Sequence, residues 1–164
     1  MGSGGASRSY EGDTREVDEL EDIARREVEE ERQPRKRAFL SFRSEDLDKV
    51  NLFRGQARNS TSNLDFIDYS LKTPFDSEDA DYIRQGIRSR IKNSSVTIVL
   101  IGENAHQSEW VNWEVRESIN QGNDVIGVKI ERDKDVKIPE AIEEHDVEVM
   151  EWNQEEINER LREV

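Results

Sequence analysis

The chain has 164 residues, no cysteine and a formal charge of −14. The length suits one domain with its own core, and the missing thiols exclude disulfides and thiolate chemistry and fit a cytoplasmic setting. Such acidity argues against sequence-independent nucleic-acid binding and against attachment to anionic lipid, since both need a basic face.

Only 7 of the 24 basic residues are lysine, the balance of a salt-adapted cytoplasm in which net charge maintains solubility. No apolar run reaches the length of a membrane span and the first residues lack a secretory apolar region, so neither insertion nor export is expected.

In chain order, the sequence divides near Pro34 into an acidic arm over 1–36 and a domain over 37–164. Residues 1–33 carry 11 acids and 5 basic residues. Val17, Leu20, Ala24 and Val28 make a thin apolar stripe over 16–32. A solvated helix or a disordered arm fits that composition; an appended helix that docks or self-associates is the alternative.

From Arg37 onward strands and helices alternate. Residues 37–42 form a short apolar strand. Ser44 then reads as a helix N-cap with Glu45 and Asp46 in the first turn, and Leu47, Val50, Phe53 and Ala57 as the apolar face. A second strand is expected over 64–69. Ser77, Glu78 and Asp79 open a helix with the stripe Ala80, Ile83, Ile87 and Ile91. Strand three covers 95–101, helix three 108–121 and strand four 124–130. A short helix from Pro139 to about Glu144, a fifth strand over 147–151 and a final helix over 154–162 complete the order. Five strands alternating with helices imply parallel βαβ units in a doubly wound α/β sheet, with ligands bound beyond the carboxyl ends of the strands.

The segment Ser108-Glu109-Trp110-Val111-Asn112-Trp113-Glu114 follows the buried strand and its closing Gly102. Ser108 can cap the helix, and Glu109 suits its first turn. Val111, Val115 and Ile119 form the sheet-facing stripe, with Trp110 and Glu114 sharing a face at its edge. An aromatic beside a carboxylate at this place suggests a pocket wall. Trp110 as a core anchor and Glu114 as a solvated charge is the competing reading.

Several familiar sites are missing. There is no GxGxxG, no Walker lysine loop and no GxSxG elbow. Two histidines and no cysteine leave a transition-metal site unexpected, and His145 reads as exposed. A receiver domain needs an acidic pair after strand one and a lysine after strand five, where Trp152 and Asn153 stand instead.

Ala38-Phe39-Leu40-Ser41-Phe42 with Ser44-Glu45-Asp46 resembles the first strand and loop of a Toll/interleukin-1-receptor (TIR) domain. Phe66-Ile67-Asp68-Tyr69-Ser70, Ile87-Arg88-Ser89-Arg90-Ile91, and Gly102-Glu103 with Ser108–Glu114 resemble the TIR-like branch of the Thoeris anti-phage systems. The similarity covers about Arg37 to Ile130. It implies a flavodoxin-like fold, five parallel strands with helices on both faces, and cleavage of NAD at the nicotinamide–ribose bond. The product implied is a cyclic ADP-ribose-type messenger that activates an effector protein.

The family's catalytic glutamate follows a tryptophan by four positions, which Trp110 and Glu114 match. By the same resemblance Phe42, Arg43 and Ser44 would meet phosphate or nicotinamide, Asp68 and Tyr69 would border the crevice, and His106 would position substrate or product. NAD enters as substrate, with no cofactor or metal, and a homo-oligomer is implied because TIR sites often need two protomers. A non-catalytic TIR-like interaction module, or a flavodoxin-like domain binding a nucleotide without turnover, is the alternative.

Overall fold

The computed structural model describes residues 16–25, 36–60, 64–69 and 72–164. Two compact units are present, Met1–Arg35 and Lys36–Val164. In the first, 16–25 is helical and every residue of it is exposed, Val17, Leu20 and Ile23 included. The stripe residue Val28, the boundary residue Pro34 and the motif residue Ser70 lie outside the described residues.

The second unit runs β1 (Lys36–Ser41), α1 (Leu47–Ser60), β2 (Leu64–Ile67), α2 (Ala80–Lys92), β3 (Val96–Ile101), α3 (Glu109–Asn120), β4 (Asp124–Lys129), α4 (Glu140–Glu144), β5 (Glu148–Glu151) and α5 (Gln154–Arg162). All five strands pair in parallel in the order β2-β1-β3-β4-β5. This is the doubly wound, flavodoxin-like arrangement expected from the alternation of patterns.

Strand alternation divides the core by face. Ala38 and Leu40 of β1, Phe42 just after it, and Val96, Ile98 and Leu100 of β3 pack with Val50 and Phe53 of α1 and Ile157 and Leu161 of α5. On the opposite face Val99 and Ile101 meet Val111 and Val115 of α3 and Ala141 and Ile142 of α4. Phe39 meets Ile83, Ile87 and Ile91 of α2 and Trp110 of α3. Every residue of β3 is buried, as a central strand covered on both faces requires.

The start of α1 differs from the sequence expectation. Ser44–Asp46 is a 3-10 turn whose N-cap is Arg43, with no side-chain cap bond, so Ser44 does not cap the helix. Leu47 follows directly from this turn and is 39 % exposed, leaving Val50, Phe53 and Ala57 as the buried stripe. A 3-10 turn, at three residues per turn, advances the chain by more degrees per residue than an α-helix, so the segment from Ser44 is out of phase with the apolar stripe of α1. Helix α3 behaves as expected: the Ser108 side chain accepts from the Val111 amide, and Gly122, at φ 80°, ends the helix in a conformation that glycine adopts without strain.

Candidate active site

The chain runs from β1 outward to β2 and returns on the other side of β1 as β3, so the strand order reverses between β1 and β3. Ser41 closes β1 at this switch point. It has the parity of Phe39, and therefore faces α3. Glu114, one turn beyond Trp110 on α3, meets it there.

Glu114 is fully buried, with none of its surface exposed. Its Oε1 accepts a hydrogen bond from Lys72 Nζ at 2.6 Å, the lysine reaching in from the segment between β2 and α2. Burial pushes the Glu114 pKa from 4.5 up to about 7, against the opposing pull of the Lys72 ammonium and the Ser41 hydroxyl. Ser41 acts by proximity: neither its Oγ nor Glu114 Oε2 has a well-formed hydrogen bond among the described residues, although both atoms are buried. Beneath the carboxylate a hydroxyl pair secures the helix to the sheet. Ser118 Oγ donates to the Glu114 carbonyl at 2.7 Å, which leaves Thr97 Oγ1, 2.7 Å from Ser118 Oγ, as the donor of that second bond.

Trp110 is a core anchor with a polar handle. Its ring packs edge-on against Phe75 at 5.0 Å and Trp113 at 6.0 Å, while Nε1 donates to the Thr73 carbonyl at 2.8 Å. That bond fixes the backbone next to Lys72. The two competing readings of the motif therefore split. Trp110 is core, but Glu114 is the opposite of a solvated charge.

The other expected residues are distributed more widely. Phe42 is buried, its ring centroid 6.0 Å from Lys72 Nζ, and so joins the Glu114 cluster. Arg43 pairs with Glu45 at 3.0 Å and reaches the Asn104 carbonyl at 3.4 Å, while Ser44 is exposed. Asp68 pairs with Arg54 of α1, so it is held on that helix rather than at Glu114. Tyr69 lies against Gly86 and under the Arg90 guanidinium, 4.5 Å from the ring centroid. His106 is half-buried in the turn before α3, its Nδ1 without a partner among the described residues.

Ser41 and Lys72 escaped the sequence reading. Strand parity with Phe39 could have found Ser41; Lys72 lies in a loop without periodicity and carries no such signal.

Asp46 and Gly102 bring the loops after β1 and β3 together. Burial holds the Asp46 pKa above its ordinary value. A Cβ on Gly102 would run into the Asp46 carboxylate, 2.6 Å from its Cγ. Gly102→Ala is accordingly expected to cost about 1–3 kcal/mol by overpacking, and Gly102→Ala combined with Asp46→Ala to recover most of that, as read by denaturant unfolding.

An open cleft of about 370 Å³ lies at the amino ends of β4 and β5, lined by Asn123, Asp124, His145, Asp146 and Arg160 among others. It is at the opposite end of the sheet from Glu114, and none of those side chains is fully buried. The fully buried acid, Glu114, stands at the other end.

The five-stranded parallel α/β sheet in this order is consistent with a flavodoxin-like, TIR-like domain. The family model described as Thoeris protein ThsB, TIR-like domain, matches residues 39–135, and the chain belongs to that family. Ser41, Lys72, Trp110 and Glu114 all fall within the matched span. A Bacillus cereus (strain MSX-D12) protein named "Putative cyclic ADP-D-ribose synthase ThsB1" is 33 % identical over 104 residues, covering 61 % of this chain and 54 % of the relative. The chain thus spans about half the length of that curated relative.

Proposed function

We propose that this protein cleaves NAD at the nicotinamide–ribose bond and closes the remainder into a cyclic ADP-ribose-type messenger, which activates a separate effector protein in anti-phage defence within the cytoplasm. The observation that carries the reading is a carboxylate, Glu114, fully buried at the switch point of a parallel sheet. Membership of the ThsB family and the name of the Bacillus cereus relative support it.

The chemistry suits one carboxylate. As the C–N bond breaks, the bonding pair goes to the pyridinium nitrogen and nicotinamide leaves neutral, so the leaving group needs no proton. Positive charge develops on the anomeric carbon and ring oxygen. A carboxylate in a dry site stabilises that charge strongly and accepts hydrogen bonds from the ribose hydroxyls. A nucleophile within the same molecule then attacks the anomeric carbon and loses its proton, which closes the ring. In this reading Phe42 would border the nicotinamide, and Arg43 and His106 would meet phosphate or product. A second copy of the chain is the proposed assembly partner.

Purified protein incubated with NAD tests this reading, with the products resolved by chromatography and mass spectrometry. Nicotinamide and a nucleotide one water lighter than ADP-ribose are expected; NAD that stays intact overturns the proposal. The working form of Glu114 is the ionised one, and its pKa is about 7. Turnover is therefore expected to rise with pH through about 7 and level off about a unit above it. A kcat/KM that stays flat from about pH 5 to 8 would show that this charge is not used.

A further inference from the structure

Lys72 is an unusual companion for a working acid. Its side chain is only 9 % exposed, and it satisfies Oε1 of a carboxylate that has no exposure at all. A purely structural ion pair would complete the carboxylate's hydrogen bonds, since an incomplete buried pair is costly. Here Oε2 and the adjacent Ser41 Oγ are buried without a well-formed hydrogen bond among the described residues, and the Ser41 hydroxyl is the smallest of the pulls on the carboxyl. The lysine also enters from a loop, anchored beside it through the Trp110 Nε1 bond to the Thr73 carbonyl.

The other charges nearby are engaged elsewhere. Arg84 lies over Phe75 and Trp110, and Arg88 lies over Trp113 and pairs with Glu117. Lys72 from the loop and Ser41 from β1 are thus the groups that bear on the Glu114 carboxyl.

We propose that Lys72 is a tethered cation standing where the substrate's own positive charge and hydroxyl donors belong, so that NAD enters by exchanging with the Lys72 ammonium at Glu114. This rests on the assignment of NAD cleavage to Glu114. The exchange has no chemical step: one ion pair opens and another forms, with the charge of the pocket conserved. Two opposed consequences follow for Lys72→Met. The competitor for the site is gone, which favours substrate binding. The ammonium that helps Glu114 ionise is also gone, which moves the acid limb of the pH profile upward.

The full-chain wild type, Lys72→Met and Lys72→Arg are compared for kcat and KM across about pH 6 to 9.5. Lys72→Met is expected to be slower than wild type near pH 7, yet to show a KM on the order of tenfold lower near pH 9, the gain from removing a conformer that occupies the site about nine-tenths of the time. Lys72→Arg, which keeps the charge, should retain the wild-type acid limb. A lysine that only braces the loop would raise KM at every pH when lost, and that result overturns the proposal.

A readout without turnover accompanies the kinetics: trace acetylation of each lysine, read by mass spectrometry, with a non-cleavable carbocyclic NAD analogue as probe. Lys72 should be protected in free wild type and several-fold more reactive in Glu114→Gln. Saturating wild type with the analogue should raise its reactivity similarly. A bound analogue that leaves Lys72 protected overturns the exchange while NAD cleavage stands. An analogue that does not bind, together with intact NAD, overturns both.

Discussion

Glu114→Gln is expected to lower NAD turnover by about two to three orders of magnitude while making the protein more stable at alkaline pH. Both effects come from one burial. In the unfolded chain the carboxyl titrates near its ordinary 4.5, and in the fold near 7. Between those values the native state keeps a proton that the unfolded chain has lost. Native stability therefore falls as pH rises from about 4.5 to 7, and is unaffected by this group on either side.

The ionised acid costs the wild-type fold up to about 3 kcal/mol above pH 7, reduced by whatever Lys72 loses with its partner. Glutamine does not titrate. Melting curves of wild type and Glu114→Gln should lie close together near pH 4.5 and separate progressively up to about pH 8, the variant melting higher. A variant that loses turnover and is also less stable at pH 8 would mean that the glutamate is needed for structure.

Trp110→Ala is expected to be the most destabilising substitution in the site, at about 3–5 kcal/mol for a large buried aromatic. The ring is 8 % exposed and joins Phe39 of β1, Ile87 of α2 and Phe75 into one cluster. The alanine also removes the indole donor to Thr73 and strips the second aromatic face from Arg84. Trp110→Phe separates the two roles: most of the packing survives and the Thr73 bond does not. Urea unfolding should rank wild type above Trp110→Phe and Trp110→Phe well above Trp110→Ala. An alanine variant within about 1 kcal/mol of wild type would show that the ring is not the anchor described.

The sheet was legible in the sequence because its signals are redundant. The apolar run in β3 needs cover on both faces, and the stripe Ala80, Ile83, Ile87 and Ile91 permits one helical orientation; all four are buried. The last helix, expected over 154–162, forms over Gln154–Arg162, and the structure adds its cap, the Asn153 side chain accepting from the Glu156 amide. The beginning of α1 was harder. Ser44-Glu45-Asp46 carries the composition of a helix start, yet the chain takes a 3-10 turn there, an alternative that composition alone does not distinguish.

At the site, spacing identified Glu114 and Trp110 as neighbours on one helix face. It could not say that Trp110 is the packed anchor and Glu114 a buried acid paired with a lysine, because that depends on contacts distant in sequence. Lys72 meets Glu114 across 42 positions, and Asp68 leaves the crevice for Arg54 across 14. Such pairings are set by where loops land once the sheet has formed.

The most direct test of the account is one NAD incubation at about pH 8 in water enriched in oxygen-18, with wild type and Glu114→Gln side by side and both shown to be folded. Wild type should release nicotinamide and yield a nucleotide product free of the heavy oxygen, because ring closure uses an internal nucleophile and hydrolysis would bring in solvent oxygen. Glu114→Gln should leave the NAD intact over the same period. Intact NAD with folded wild type, or equal nicotinamide release by the two proteins, would contradict the account.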